Sequence, residues 1–210
     1  SHQLSVQYRM HEQIMEFSSQ QFYESTLVAD ESVREHLLCE LPSVEMVETT
    51  ASPIEFIDTA GAGYDEELEP DGESRRNPGE AELIRRKVQT LLDAGLTASD
   101  IAVIAPYAAQ VRLLRDVLNI ERLEIDTVDG FQGREKEAIL ISLVRSNTNG
   151  EIDFLADQRR MNVALTRARR KLIVVGDSAT IATHAFYQKL MDYFESIGAY
   201  HTVWEESDLL

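Results

Sequence analysis

Short, largely apolar runs without polar–apolar alternation are the feature that most constrains the fold of this chain. Three of them are Ile101–Ala105, Ile139–Val144 and Leu172–Val175. A strand with one solvated face alternates apolar and polar residues, so runs without this alternation indicate strands that are buried on both faces. Such strands are typical of parallel sheets that carry helices on both sides. The sequence therefore predicts an α/β protein built on a mainly parallel sheet.

Segments with helical periodicity alternate with these runs and with two further predicted strands, near Ile54–Ile57 and Leu123–Val128. Strands that alternate with helices imply a doubly wound sheet, and no internal repeat or clear second domain is visible. Two of the predicted helices cover about residues 11–23 and about residues 157–167. Three others are predicted from apolar stripes: Ile84, Val88, Leu91 and Leu92, with a stop at Gly95; Val111, Leu114 and Leu118; and, in the closing helix, Phe186, Leu190, Tyr193 and Ile197.

The charge of the chain is strongly acidic but uneven. Its net charge of −17 counts against a free-standing nucleic-acid binder, because phosphate contacts dominate that affinity. Acidic residues crowd Asp65–Glu73 and the C-terminal tail, where we expect solvated surface. Six Arg or Lys residues lie between Arg159 and Lys171. Global charge therefore weighs against nucleic-acid binding, whereas local charge favours it.

Several classes of protein are disfavoured by composition. The single cysteine, Cys39, cannot form an internal disulfide, which predicts a reducing, cytoplasmic setting. No apolar stretch approaches the roughly 20 residues of a membrane span, so no membrane partner is expected. The histidines lack metal-ligand spacing, and no protein metal site is predicted. The chain begins Ser-His-Gln-Leu without an initiator Met, and we expect it to be part of a longer protein.

Two blocks place glycine and arginine beside strand-like residues: Thr127–Glu135 (TVDGFQGRE) and Arg160–Arg169 (RMNVALTRAR). Glycine lets a backbone approach a ligand closely, and clustered arginines suit phosphate. We expect the first block to form a loop at the carboxyl ends of the strands, where open α/β sheets bind ligands. Taken alone, its glycine pair is more typical of a tight turn. Arg167, Arg169 and Arg170 could likewise be a solvated helix end.

A third block, Gln7-Tyr8-Arg9-Met10-His11, precedes the first predicted helix. Together the three blocks resemble motifs IV, V and VI of superfamily 1 helicases, in the B branch or Upf/Dna-type group. The resemblance implies a RecA-like fold and a chain whose residues 1–210 form the second of two RecA-like domains. The first domain would supply the phosphate loop and the Mg²⁺ ligands. This sequence contains no G-x-x-x-x-G-K-[ST] pattern of its own.

The resemblance also implies roles in binding ATP. Arg167 and Arg9 would be catalytic residues that contact the γ-phosphate, as arginine fingers do. Tyr8 would pack on the adenine. Glu135 would accept hydrogen bonds from a ribose hydroxyl, and Gly133 would lie beside the nucleotide. ATP and Mg²⁺ are therefore the expected cofactors.

On the nucleic-acid side, the resemblance places Thr127 and Gln132 against single-stranded DNA or RNA. The implied activity is ATP-driven translocation in the 5′ to 3′ direction, with the first RecA-like domain as partner. His11 is expected to cap or orient the turn that contains it. A helicase-like binding module without an ATP cycle remains open as an alternative. A Rossmann-type enzyme would need a G-x-G-x-x-G after its first strand, and the chain has none.

Overall fold

The computed structural model describes residues 3–70, 72–131 and 134–209. Its strands are β1 (Ser5–Gln7), β2 (Leu27–Ala29), β3 (Ile54–Asp58), β4 (Glu67–Leu68), β5 (Arg75–Arg76), β6 (Ile101–Ala105), β7 (Glu124–Thr127), β8 (Lys136–Ser142), β9 (Ala168–Gly176) and β10 (Tyr200–Thr202). Its α-helices are α1 (Glu12–Phe22), α2 (Pro78–Asp93), α3 (Ala108–Leu118), α4 (Gln158–Leu165), α5 (Ser178–Ile181) and α6 (Ala185–Ser196).

The central sheet has six strands in the order β10-β3-β9-β8-β6-β7. Every neighbouring pair in it is parallel. All the strands therefore begin at one edge, here called the amino edge, and end at the opposite one, the carboxyl edge. The predicted α/β class with a mainly parallel sheet is confirmed.

The two faces of the sheet carry separate layers of apolar residues. On β8, Ile139 and Ile141 pack into one layer, while Ala138 and Leu140 pack into the other. The first layer is covered by α1, α4 and α6, and the second by α2 and α3. Successive strand residues point to opposite faces, so a strand covered on both sides is apolar at most of its positions. This is the physical reason for the largely apolar runs.

Local chemistry explains the bounds of α2. Asn77 precedes it, and its side chain accepts a hydrogen bond from the Glu80 backbone N–H. The helix ends at Asp93, two residues before Gly95, whose φ is +110°. A Cβ on Gly95 would lie 2.2 Å from the carbonyl oxygen of Ser43. The predicted stop at Gly95 is confirmed, and only glycine fits there.

The C-terminal half differs from the sequence-based expectation in two ways. Strand β9 begins at Ala168, so Arg169 and Arg170 lie in a strand and not at a helix end. Pairing of Ala168 with Lys136 of β8 extends the strand toward its amino end. In addition, β10 adds a further strand beside β3. It has three half-buried residues, too few to show a periodicity.

The acidic segment near Glu66 is not simply solvated surface, as its composition suggested. It contains the small antiparallel hairpin β4–β5. The Glu66 side chain is only 6% exposed and pairs with Arg145 at 2.9 Å and with Arg75 at 3.0 Å. The Arg145 side chain is completely buried. This buried ion pair attaches the acidic segment to the carboxyl edge.

No α-helix in the described part of the chain is long and apolar enough to cross a membrane.

Candidate nucleotide and nucleic-acid sites

The first glycine-containing block joins the two edges of the sheet. Strand β7 ends at Thr127 on the carboxyl edge, whereas Glu135 immediately precedes β8 on the amino edge. Because the two strands are parallel, the chain must return across the sheet before β8 can begin. Val128 and Phe131 are buried along this return, in the layer covered by α1, α4 and α6. The expectation that the whole block lies at the carboxyl ends is therefore wrong for Glu135.

Four charged side chains meet at the amino edge, and we call them the amino-edge cluster: Arg9, Glu135, Arg167 and Arg169. Arg9 forms an ion pair with one carboxylate oxygen of Glu135. Arg169 donates to the other oxygen through Nε at 2.9 Å and Nη2 at 2.6 Å. Arg9 also donates through Nη1 to the Thr166 carbonyl, 3.1 Å away at the C-terminal end of α4.

Arg167 belongs to this cluster but has no carboxylate partner among the described residues. Its Nη2 donates to the Thr166 hydroxyl at 3.2 Å. Its Nε is buried, with no hydrogen-bond acceptor in the described part of the chain. Burial and the nearby like charge of Arg9 lower the pKa of the guanidinium. A buried N–H without an acceptor is costly, so this donor favours binding of an acceptor.

Glu135 remains ionised because its arginine neighbours outweigh its partial burial. Burial opposes ionisation, but the Arg169 hydrogen bond and the positive charges of Arg9 and Arg169 hold the pKa of the carboxyl below its ordinary value. Three guanidinium groups therefore surround the Glu135 carboxylate. Glu137 lies 3.8 Å from Arg169 but also pairs with Arg170 at 3.1 Å, so an excess of positive charge remains. Such an arrangement is suited to phosphate oxygens.

The segment before α1 is folded so that it presents Arg9. The Gln7 side-chain oxygen accepts from the backbone N–H groups of Arg9 and Met10, at 2.9 and 2.7 Å. The His11 backbone N–H donates to the Arg169 carbonyl at 2.9 Å, which fixes the turn to β9. His11 Nδ1 also caps α1 by accepting from a backbone N–H, and burial lowers its pKa to about 4. Its predicted capping role is confirmed.

Tyr8 stands next to Arg9 on the same turn and is 70% exposed. A large aromatic ring held in solvent beside a cationic cluster is free to pack against a planar ligand. The adenine contact expected of Tyr8 remains a prediction, and the position of the ring is compatible with it.

On the carboxyl edge, Thr127 shapes the turn that leaves β7. Its hydroxyl accepts from the Gly130 backbone N–H at 3.2 Å, and its carbonyl accepts from the Phe131 N–H at 3.0 Å. The side chain is half-buried. Gln132 and Gly133, which were also predicted to be site residues, lie outside the residues that the structure describes.

The chain is similar in sequence to a protein family and to several known proteins. Residues 1–179 match the family described as the AAA domain. The DNA-binding protein SMUBP-2 of Rattus norvegicus is 51% identical over 207 residues, which cover 98% of this chain and 21% of that protein. The DNA polymerase alpha-associated DNA helicase A of Schizosaccharomyces pombe is 46% identical over 200 residues, or 91% of this chain and 30% of that protein.

A third relative is the regulator of nonsense transcripts 1 homolog of Neurospora crassa. It is 36% identical over 201 residues, which cover 91% of this chain and 18% of that protein. The chain belongs to the AAA domain family, in the Upf1-like branch of superfamily 1 helicases. Its parallel sheet, covered by helices on both faces, is the RecA-like fold of that family. The chain spans less than a third of the length of each of these relatives.

Sequence reasoning missed Arg169 as a member of the amino-edge cluster. Arg169 binds Glu135 directly, although the sequence suggested that Arg169 lies at a solvated helix end. A usable pattern was present, because residues two apart on a strand point to the same side. Arg167, immediately before β9, and Arg169, its second residue, have that spacing. The sequence does not show that β9 begins as early as Ala168, so this two-residue spacing did not indicate that Arg169 belongs to the cluster.

The described residues at the two edges of the sheet were compared with the requirements of a metal site. Among residues 3–70, 72–131 and 134–209, no group of three or more His, Cys, Asp and Glu side chains is placed to hold a metal ion. The amino-edge cluster is also predominantly cationic, which is unfavourable for Mg²⁺.

Proposed function

We propose that this chain is the second RecA-like domain of an ATP-dependent helicase motor. In this proposal it completes the ATP site across a cleft from the first RecA-like domain, and it grips single-stranded DNA or RNA. One observation carries the proposal: Arg9, Arg167 and Arg169 converge at the amino edge around the Glu135 carboxylate, and the buried Nε of Arg167 has no acceptor among the described residues. The first domain would provide the phosphate loop and the Mg²⁺ ligands.

The local charge supports a polyphosphate ligand. The chain as a whole carries −17, so a surplus of guanidinium groups at one edge is a pronounced local exception. Arginine side chains that serve only as solvated surface are not expected to be half-buried and held by backbone carbonyls, as Arg9 is. The RecA-like fold and the family of the chain support the same conclusion.

In this proposal each cationic side chain has a separate task. Arg167 donates to γ-phosphoryl oxygens and stabilises the charge that spreads over them in the transition state. Arg9 provides a second cation to the same phosphate, positioned by Glu135 and by the Thr166 carbonyl. Tyr8 packs on the adenine, and Mg²⁺ held by the first domain would neutralise phosphate charge.

The geometry of the first block supports coupling between nucleotide and nucleic acid. Thr127 at the carboxyl edge and Glu135 at the amino edge belong to one short segment, anchored between them by the buried Phe131. A shift of Glu135 with its arginines would be transmitted along this segment toward Thr127. Contacts with the phosphate backbone at the carboxyl edge would be insensitive to base sequence. ATP-driven closure and opening of the cleft would then produce translocation.

The first test uses the 210-residue chain by itself in a steady-state assay with ATP, Mg²⁺ and single-stranded DNA or RNA. We expect no significant turnover, because the chain lacks a phosphate loop. Binding of labelled ATP and oligonucleotides should be weak and salt-sensitive, since the site is half-formed and the net charge repels polyanions. Robust Mg²⁺-dependent hydrolysis by the chain alone would show that the domain assignment is wrong.

The second test uses the full-length protein. ATP hydrolysis stimulated by single-stranded nucleic acid should be readily measurable there. If the full-length protein binds single strands tightly but hydrolyses no ATP, it is a non-catalytic binding module and the motor proposal fails.

A further inference from the structure

An exposed aromatic side chain, Phe154, lies at the carboxyl edge on the side of β6 and β7. It is 51% exposed in the 3₁₀ turn Asp153–Ala156. Its ring contacts Tyr107, which follows β6, with centroids 5.3 Å apart and planes inclined by 59°. The Arg160 guanidinium carbon lies 5.8 Å from the ring centroid. We propose that Phe154 is a stacking platform for an unpaired base of single-stranded nucleic acid.

The surrounding structure fixes Phe154 in this outward position. Its neighbours Ile152 and Leu155 are buried, 4% and 0% exposed, and anchor both ends of the turn in the core. Asp153 has a φ of +39°, and its carboxylate accepts from Arg145 at 2.7 Å. Non-glycine residues in the left-handed region are uncommon and need support from their surroundings. The turn therefore holds an apolar ring in solvent where simple packing would bury it.

Phe154 is connected by contacts to the strand end already assigned to nucleic acid. Arg160 Nε lies 3.5 Å from the Asp129 carboxylate, and Asp129 follows Thr127 by two residues. The aromatic ring, the arginine and the Thr127 turn thus form one continuous surface. A base stacked on Phe154 would leave its phosphates near Arg160, where they would compete for this cation with Asp129 and with Asp157, whose carboxylate lies 3.9 Å from Arg160 Nε. This inference rests on the proposed function, because it deepens the nucleic-acid role of the same edge.

The charge of the chain favours stacking as the source of affinity. With a net charge of −17, long-range attraction to phosphate cannot dominate binding. Stacking of a base on an aromatic side chain needs no net charge and tolerates every base. A half-exposed phenylalanine beside an arginine is the arrangement that single-strand binding surfaces use. An unpaired base, and not a protein segment, is therefore the occupant that this surface fits.

The test compares two ligands on the full-length protein without nucleotide. One is a fluorescently labelled single-stranded oligonucleotide, and the other is the same length of strand with abasic sites, which keeps the phosphates but removes the bases. Phe154→Leu should raise the Kd for the normal strand by roughly tenfold, within the range known for single aromatic stacks. The Kd for the abasic strand should stay within about twofold, because only stacking is lost. Phe154→Trp should restore the affinity for the normal strand.

Trp204→Leu is the matched control. Trp204 is 58% exposed but follows β10, which lies at the other end of the strand order from β7. This variant should leave both Kd values and ATP hydrolysis at parent levels. Thermal unfolding of both leucine variants checks that the fold is intact.

Two outcomes overturn the stacking proposal. The first is that Phe154→Leu binds the normal strand with the same Kd as the parent. The exposed surface at Phe154 would then fit a protein partner instead of a base. The other is an equal loss for the normal and abasic strands, which would indicate a structural role. The motor proposal is tested separately by hydrolysis in the Arg167 variants described below. If Phe154→Leu does not weaken binding of the normal strand more than binding of the abasic strand, while the Arg167 variants lose ATP hydrolysis as expected, only the stacking proposal is rejected.

Discussion

The Arg9 guanidinium and the Glu135 carboxylate form an ion pair that connects the segment before α1 to the start of β8. Arg169 binds the same carboxylate from β9, so Glu135 holds two cations in place. A phosphate has the charge and oxygen geometry to compete with this carboxylate for Arg9. We therefore expect nucleotide binding to rearrange this ion pair, and four predictions follow from the cluster and from the buried charges elsewhere.

In the full-length protein, Arg167→Ala should lower kcat for ATP hydrolysis by a factor on the order of 10³ or more, because an arginine that meets developing charge acts mainly in the chemical step. The KM for ATP and the affinity for single strands should change little. Arg167→Lys should also fail, since an ammonium group cannot reproduce the planar guanidinium. Steady-state kinetics and a filter-binding assay measure both effects.

Arg85→Ala is the control for Arg167, since Arg85 lies on α2 on the other face of the sheet and forms a surface ion pair with Glu82. It should hydrolyse ATP like the parent. Hydrolysis by Arg167→Ala at the parent rate would show that motif VI was misread, and it would favour the non-catalytic alternative.

Glu135→Gln should separate stability from activity. The Glu135 side chain is 30% exposed, and ion pairs of this kind contribute little to folding, so the free energy of unfolding should fall by less than about 1 kcal/mol. The rate of ATP turnover should fall by much more than this small loss of stability can explain, because Arg9 and Arg169 lose the charge that positions them. Urea denaturation and steady-state kinetics on one preparation measure the loss of stability and the loss of activity separately. A loss of turnover that merely follows a loss of folded protein would contradict the positioning role.

Two ion pairs of the acidic segment should differ sharply in their contribution to stability. Arg145 is fully buried against Glu66, so Arg145→Met should leave this buried carboxylate with Arg75 as its remaining ion-pair partner and destabilise the fold by up to about 3–5 kcal/mol. Arg112 is 54% exposed beside Glu69, and Arg112→Ala should cost about 1 kcal/mol or less. Urea denaturation compares the two variants directly. Equal losses would mean that Glu66 is hydrated in solution.

Glu80 should make stability depend on pH. It is completely buried, its Oε1 accepts from the Ser142 hydroxyl at 2.8 Å and from the Val144 N–H at 3.0 Å, and burial raises its pKa to about 8. The unfolded chain releases this proton near pH 4.5, whereas the folded chain retains it to about pH 8. Between these values the unfolded state binds fewer protons, so stability should fall as the pH rises.

Glu80→Gln removes the ionisation, so its Tm should decline less than that of the parent between about pH 4.5 and 8. Glu82→Gln on the same helix is the control. The pKa of Glu82 is lowered, chiefly by its hydrogen bond from Arg85, and its effect is confined to more acidic solutions. Identical pH profiles for Glu80→Gln and the parent would show that Glu80 titrates like an exposed carboxyl.

Much of the fold was predictable because periodicity follows from burial. The strand Ile101–Ala105 and the helix stop at Gly95 were predicted where the structure has them. Strand β10 and the strands β1 and β2 were missed, because segments of three residues without a buried face carry no period. Glu66 was misread as solvated surface because its partner, Arg145, is distant in sequence.

The sequence by itself determined the longer helices, the buried strands of the central sheet and which residue types could contact phosphate. Repeating apolar positions specify helices and strands through local geometry, and the arginine and glycine blocks identify the family. Only the tertiary structure decided that Thr127 and Glu135 lie on opposite edges and that Arg169 shares a carboxylate with Arg9. The physical reason is that such contacts depend on the order and direction of the strands, which are set by packing between distant segments and not by any local pattern.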